Sequence, residues 1–122
     1  MKAGMVALAI AGMLASSGAM ADGNELLKQC QTAVDRSSGV DFLGGYETGY
    51  CYGTINGVVG SIQTLNQYLL PEERTCLPDE MKQIQGARIV LKFLSDHPAS
   101  LGRSDPFLVL AAFQNAYPCK RR

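Results

Sequence analysis

The side chains with the most reactive chemistry in this sequence are four cysteines, Cys30, Cys51, Cys76 and Cys119. Zinc sites and redox-active thiol pairs usually place two cysteines only a few residues apart, whereas every gap here exceeds 20 residues. An even number of widely spaced cysteines is typical of a disulfide framework in a short exported chain. We therefore predict that all four form structural disulfides, so that none serves as a nucleophile or metal ligand.

The other residues with catalytic potential have structural explanations. The single histidine, His97, precedes a proline at the predicted end of a helix, where a protonated imidazole suits the negative end of the helix dipole. The carboxylate pairs Glu72-Glu73 and Asp79-Glu80 lie in a predicted turn and at a predicted helix start. No serine has a nucleophile-elbow context, and there is no His-x-x-x-His pair. The sequence therefore predicts no catalytic residue, no metal site and no cofactor.

The first 21 residues have the pattern of a signal peptide. Lys2 is followed by an apolar stretch over residues 5–14 and then by the small-x-small sequence at 19–21. The apolar stretch is shorter than the roughly 20 residues that span a bilayer. We predict a cleaved leader over 1–21, a single domain over 22–122, and export to an oxidising compartment.

The charge balance indicates which partners are unsuitable. The chain has 11 basic and 11 acidic side chains, and one of the basic ones, Lys2, lies in the leader. Nucleic acids and anionic membranes favour clustered positive charge, but the only basic cluster is at residues 120–122, at the end of the chain. We therefore predict neither nucleic acid nor a membrane as the partner.

Apolar periodicity predicts four helices. The first covers about 22–34, with Asp22 or Asn24 as its N-cap and Glu25 at the positive end of its dipole, and the second covers about 41–69. The third starts at 78–80, ends before His97, and is expected to bury Met81, Ile84, Ala87, Leu91 and Leu94. The fourth is capped by Ser104, with Pro106 in its first turn, and is apolar nearly all round, which predicts a central position.

The second helix contains an unusual stripe of glycines. Gly45, Gly49, Gly53 and Gly57 recur every four residues, with Gly60 close to the same line. Each glycine costs a helix about 0.5–1 kcal/mol relative to alanine, so the stripe needs a reason. A phosphate-binding loop would need a following Lys-Ser/Thr, which is absent. We interpret the stripe as a flat surface on which another helix packs closely.

Four helices with short connections predict an all-α fold, a compact bundle of four main helices stapled by two disulfides. Four cysteines allow three pairings. Cys76 precedes the third helix and Cys119 follows the fourth, so an antiparallel pair brings both to the same end. We predict Cys76–Cys119, and consequently Cys30–Cys51 between the first two helices.

Five segments together resemble a known family. They are residues 26–30 (LLKQC), 49–58 (GYCYGTINGV), 76–78 (CLP), 90–98 (VLKFLSDHP) and 117–119 (YPC). Their order and spacing, across essentially the whole mature chain, resemble the Rap/Tai immunity proteins of bacterial type VI secretion. The resemblance implies a periplasmic all-α protein, often a homodimer, without enzymatic activity. It also implies a partner, a peptidoglycan amidase effector, whose active-site groove with its catalytic cysteine and histidine the immunity protein occludes.

Residues that contact an effector differ between cognate pairs, so the contact surface must come from expected exposure. The polar stripe of the third helix and the loop after it are the candidates. The residues are Lys82, Gln85, Arg88, His97, Ser100, Arg103, Ser104 and Asp105. Loops held on a rigid scaffold are frequent sites of binding.

Two other functional classes remain as alternatives. The first is a small periplasmic stress chaperone of the HdeA type, which is also helical and disulfide-bonded and exposes apolar surface in acid. It fits four cysteines and the glycine stripe less well. An enzyme comes third, because no catalytic machinery is visible in the sequence.

Overall fold

The computed structural model describes residues 21–36 and 45–119. These residues form four α-helices and no strand; the helices are α1 (Gly23–Asp35), α2 (Gly45–Leu65), α3 (Gln83–Asp96) and α4 (Asp105–Ala116). Three short 3-10 turns, Asn66–Tyr68, Pro71–Glu73 and Pro98–Ser100, connect them. The predicted all-α bundle of four helices is therefore confirmed. The predicted leader up to residue 20, the start of the predicted second helix at 41–44 and the basic cluster at 120–122 lie outside the described residues.

The starts of α1 and α4 follow the sequence signals. The Asp22 side chain accepts a hydrogen bond of 3.0 Å from the backbone N–H of Asn24, and Glu25 lies in the first turn of α1. Ser104 occupies the N-cap position of α4, with Pro106 in the first turn, although its hydroxyl makes no capping hydrogen bond.

The predicted start of the third helix is wrong. Helix α3 begins at Gln83 instead of Pro78. The backbone N–H of Cys76 donates to the Tyr117 carbonyl over 2.9 Å, and Thr75 forms an antiparallel bridge with Pro118. This pairing with the end of the chain, together with the disulfide to Cys119, holds the preceding segment out of helical geometry.

The core lies where the four helices meet. Leu26 of α1, Ile55 of α2, Leu94 of α3 and Phe113 of α4 are all essentially inaccessible to solvent. Of the five residues predicted to form the buried face of the third helix, Ala87 and Leu94 are buried and the others are half-buried. No helix among the described residues has the length and apolar character needed to cross a membrane.

Both predicted disulfides are confirmed. Cys30–Cys51 joins α1 to α2 with a Cα–Cα distance of 5.1 Å, and both of its cysteines are fully buried. Cys76–Cys119 joins the segment before α3 to the end of the described chain, with a Cα–Cα distance of 5.0 Å. The second bond lies nearer the surface, because Cys76 is exposed.

The interpretation of the glycine stripe as a packing surface is wrong for residues 21–36 and 45–119. A Cβ atom added at any of Gly45, Gly49, Gly53, Gly57 or Gly60 would meet no atom of the described residues within 4 Å. Helix α2 instead packs through the opposite face, where Cys51, Ile55 and Ile62 are buried. The physical reason is that these larger side chains bury more apolar area than glycines can, so they face the core and the glycines face outward.

Candidate partner-binding surfaces

The polar stripe of α3 is exposed, as the sequence predicted. Lys82, Gln85, Arg88 and Lys92 all lie in solvent. The ammonium group of Lys92 forms an ion pair of 2.8 Å with Asp96 one turn later. Arg88 makes no hydrogen bond or ion pair with any residue that the structure describes, so its guanidinium group is available to a partner.

His97 has a structural role at the end of α3. Its ring stacks on Phe93 with 4.1 Å between the ring centroids, and its Nδ1 atom lies 2.7 Å from the Phe93 carbonyl oxygen. If that nitrogen carries the proton, it donates to a carbonyl left without a partner at the helix end. The imidazole is nevertheless exposed, so it remains accessible to a partner from the outside.

The loop between α3 and α4 is tied to the start of α1. The backbone N–H of Gly23 donates to the Arg103 carbonyl over 3.2 Å, and Asp22 forms an isolated antiparallel bridge with Ser104. Gly23 itself lies against the loop, since an added Cβ would come within 2.8 Å of the Leu101 backbone. These contacts restrain the loop while Arg103 and Ser104 stay exposed.

The expectation that Asp105 is exposed is wrong. Only 3% of its surface is accessible, and among the described residues neither carboxylate oxygen has a hydrogen-bond partner. The Asp105 side chain points into the protein, whereas its neighbours Pro106 and Phe107 in the same turn are exposed. Asp105 is therefore removed from the candidate contact surface.

Asp105 also lies in an unfavourable electrostatic environment. Burial raises the pKa of its carboxyl group, and the negative charges of Asp22 and Glu25 raise it further, while the neighbouring Tyr50 hydroxyl partly opposes the shift. The pKa of Tyr50 is raised in turn by its own burial and by the Asp105 charge. The ionised form of Asp105 is thus destabilised in the folded protein.

A second candidate surface is an open apolar groove between α2 and α4, with a volume of about 660 Å³. Its walls include Val58 and Ile62 of α2 and Phe107 and Leu110 of α4. Contrary to the prediction of a central fourth helix, Phe107 remains 46% exposed. The uniformly apolar sequence of α4 is the feature that could have predicted this groove. Because apolar residues surround nearly the whole helix, one flank stays exposed and apolar after the other has packed into the core.

Charged side chains lie at both ends of the groove, and at the Leu69 end the Arg74 Nε atom donates to the Leu69 carbonyl over 2.9 Å. At one end, the Arg103 guanidinium lies 4.6 Å from the centre of the Phe107 ring, in a cation–π contact. At the other end, Glu73 lines the groove and its backbone carbonyl accepts a hydrogen bond of 3.2 Å from Gln114. Glu73 is the one charged residue among the described residues that line the groove.

The described residues contain no group of three or more His, Cys, Asp or Glu side chains placed to hold a metal ion. What they offer is a restrained loop, an exposed polar stripe and an apolar groove on a disulfide-stapled helical scaffold. These features describe a small all-α binding protein.

Comparison with known families gives this class a name. The family model of Rap1a immunity proteins matches residues 22–119, so the chain belongs to the Rap1a immunity protein family. No curated protein and no solved structure gives a significant match. Family membership confirms the Rap/Tai resemblance, and it implies an immunity protein that binds a cognate effector, in a family whose members are generally not enzymes.

Proposed function

We propose that this protein is a periplasmic immunity protein that binds and occludes the active site of a peptidoglycan amidase delivered by type VI secretion. The observation that carries the proposal is the family match over residues 22–119. Export through a cleaved leader over residues 1–21 is part of it, and the two disulfides support an oxidising compartment. The proposal also includes a homodimeric state, as the family resemblance implies.

The proposed contact surface is formed by the α3 stripe and the loop that follows it. Its residues are Lys82, Gln85, Arg88, His97, Ser100, Arg103 and Ser104. The hydrogen bonds between this loop and α1 support the proposal, because a restrained loop loses little conformational entropy when it enters a partner's groove.

A charge reversal at Arg88 tests this surface. We expect Arg88→Glu to weaken binding of the cognate amidase by about tenfold or more, because truncation or reversal of a charge inside an interface commonly costs a few kcal/mol. Calorimetric titration with the purified amidase measures the change. Since Arg88 is exposed and makes no hydrogen bond or ion pair with a described residue, the fold should be unaffected.

The matched control is Lys28→Glu, an equal charge reversal on the exposed surface of α1. This variant should bind the amidase as the wild type does. Equal affinities of all three proteins would exclude the α3 surface and would leave the effector to bind elsewhere.

The alternative of an acid-activated chaperone has one observation in its favour, which is the exposure of large apolar side chains such as Tyr46, Tyr68 and Leu70. The buried Asp105 opposes it, because acid neutralises this destabilised carboxylate and so favours the folded state at that position. Suppression of client aggregation at low pH, without any amidase binding, would support the chaperone instead.

A further inference from the structure

Most of the polar side chains that line the groove between α2 and α4 are already paired within the protein. The Ser61 hydroxyl donates to the Gly57 carbonyl over 2.8 Å. The Asn66 side chain exchanges hydrogen bonds of 2.7 and 3.2 Å with the backbone of Thr75, and the Gln114 amide donates to a backbone carbonyl over 3.2 Å. A partner can cover these groups without leaving them unsatisfied, so it needs to offer mainly apolar side chains.

The charged side chains at the two ends of the groove are also engaged. Glu73 is the one charged residue among the described residues that line the groove, and its Oε2 atom accepts a hydrogen bond of 3.2 Å from a backbone N–H of its own turn. Beside it, the Arg74 Nε atom donates to the Leu69 carbonyl over 2.9 Å. At the other end, Arg103 stacks on the Phe107 ring. The middle of the groove carries no charge, so a segment that lies there must present an uncharged face.

The walls of the groove determine what kind of backbone a partner can bring. The backbone groups inside α2 and α4 are bonded within each helix, and the described residues contain no strand that a partner could extend. A segment in the groove must therefore satisfy its own backbone internally, as an α-helix does. Along α2 the lining runs from Gly53 to Asn66, a rise of about 20 Å at 1.5 Å per residue, which is almost four helical turns.

Two glycines in the α2 wall allow a helix to approach closely. Gly53 and Gly57 both line the groove, and a Cβ added at either would meet no atom of the described residues within 4 Å. Small residues at a helix–helix contact let two backbones come near each other. Leu65 and Phe107, which are 51% and 46% exposed, line the same groove and supply apolar contact area. The complementary surface is the apolar stripe of an amphipathic helix.

The groove is continuous with the loop proposed to enter the effector. Arg103 belongs to that loop, and its guanidinium lies 4.6 Å from the centre of the Phe107 ring, which lines the groove. The proposed contact residues are far fewer than the roughly 20–30 a side of a stable interface, so a bound effector must cover further surface beside the loop. We infer that the groove receives an amphipathic helix of the effector, with its uncharged apolar stripe against Gly53, Gly57 and Leu65.

This inference rests on the proposed function and deepens it, because it adds a second docking element beside the active-site groove of the effector. The two can fail separately. An amidase that does not bind the wild type contradicts both, whereas an amidase that binds the wild type and the groove variants equally contradicts only the role of the groove.

Calorimetric titration of the oxidised mature protein with a purified type VI peptidoglycan amidase from the same organism tests the groove. Gly57→Leu places a side chain in open space in the groove, so the fold should tolerate it. We expect this variant to bind the amidase about tenfold more weakly or worse, because the added side chain holds the partner helix away from the wall. Phe107→Asp should weaken binding to a similar extent, because the complex would bury an unpaired charge.

The matched control is Gly49→Leu, which adds the same side chain to the same helix outside the lining of the groove. It should bind the amidase as the wild type does, and thermal melts verify that each variant is folded. Wild-type affinity in both Gly57→Leu and Phe107→Asp would overturn the inference. Native mass spectrometry would then show whether Gly57→Leu instead abolishes self-association or the retention of a lipid, which would assign the groove to a second copy or to an acyl chain.

Discussion

Asp105 is an acidic residue that the fold buries almost completely, which disfavours the ionised form of its side chain. Its carboxylate is almost completely buried and makes no hydrogen bond within 3.5 Å of a described residue, so the nearby Tyr50 hydroxyl compensates it only in part, and Asp22 and Glu25 add negative charge. Burial of an ionised group without a compensating partner is unfavourable. The raised pKa of this carboxyl group is the direct consequence, and it makes stability depend on pH.

The sign of this dependence follows from linkage. The folded-state pKa of Asp105 lies above its ordinary value of 3.8, so the folded protein holds the proton more tightly than the unfolded chain does. The contribution of this group to stability is therefore most favourable below pH 3.8. It is lost as the pH rises through the folded-state pKa.

Replacement of Asp105 by asparagine should consequently stabilise the protein at pH 7, by about 1 kcal/mol or more, because the buried charge is removed. Urea denaturation at pH 7 and at a pH below 3.8 measures the effect, and the gain should be smaller at the lower pH, where the carboxyl group is protonated in the folded protein. A loss of stability in Asp105→Asn at neutral pH would show that the carboxylate has a favourable partner in the folded protein.

Asp96 provides the contrasting control. Its pKa is lowered by the hydrogen bond and the charge of Lys92, so its contribution is present at neutral pH and is lost as the pH falls through the folded-state pKa. Because this pair lies on the surface, Asp96→Asn should change stability little and in the destabilising direction.

At the level of elements, the glycines divide into two classes that the sequence does not distinguish. The five glycines of α2 face open space, whereas a Cβ added at Gly23 would lie 2.5 Å from Leu108 Cδ1 and 2.8 Å from the Leu101 backbone. The first class has room for a side chain. At Gly23, the backbone of a neighbouring segment would have to move.

Alanine substitutions should therefore have opposite effects at the two kinds of position. Gly60→Ala, outside the lining of the groove, should stabilise the fold by about 0.5–1 kcal/mol through helix propensity alone. Gly23→Ala should destabilise it by about 1–3 kcal/mol, because the added methyl group overpacks the contact with the α3–α4 loop. Thermal melts of the two variants under identical conditions measure the difference. Equal shifts in the same direction would contradict the observed packing.

Local sequence signals predicted the helices themselves. The apolar stripe, the Asp22 cap and the Ser104-x-Pro106 start are short-range features, and they placed α1 and α4 within one residue of their observed starts. The start of α3 was misplaced because tertiary pairing of Thr75 and Cys76 with the end of the chain prevails over a local helix-start signal.

The candidate surfaces were only partly predictable for the same reason. Exposure of the α3 stripe follows from its helical period, whereas the burial of Asp105 depends on how α1 and α2 approach the start of α4. The groove could not be predicted from the sequence. An uncharged, glycine-rich helix face has the same sequence pattern whether the helix that packs on it belongs to the same chain or to another.

For the molecule as a whole, the disulfides should provide a large share of the net stability. The bonds connect residues 21 and 43 positions apart, and loops of that size are worth roughly 3–4 kcal/mol each in the chain-entropy model. Full reduction should lower the melting temperature by more than about ten degrees. An unchanged melt after reduction has been confirmed by mass spectrometry would contradict this account.

The two bonds should also be reduced in a fixed order. Cys76 is exposed, whereas Cys30 and Cys51 are completely buried, so a dithiol reaches Cys76–Cys119 in the folded state and Cys30–Cys51 only after unfolding. Alkylation and peptide mapping at graded dithiothreitol concentrations should therefore find thiols first at positions 76 and 119. Simultaneous reduction of both bonds in the native protein would contradict the observed burial.

The central claim, that this Rap1a-family protein neutralises a peptidoglycan amidase, is tested most directly with a purified type VI peptidoglycan amidase from the same organism. The oxidised mature protein is mixed with that amidase, the complex is isolated, and cleavage of peptidoglycan is assayed with and without the immunity protein. We predict a stoichiometric complex and loss of amidase activity. The absence of a complex, together with undiminished cleavage, would contradict the claim.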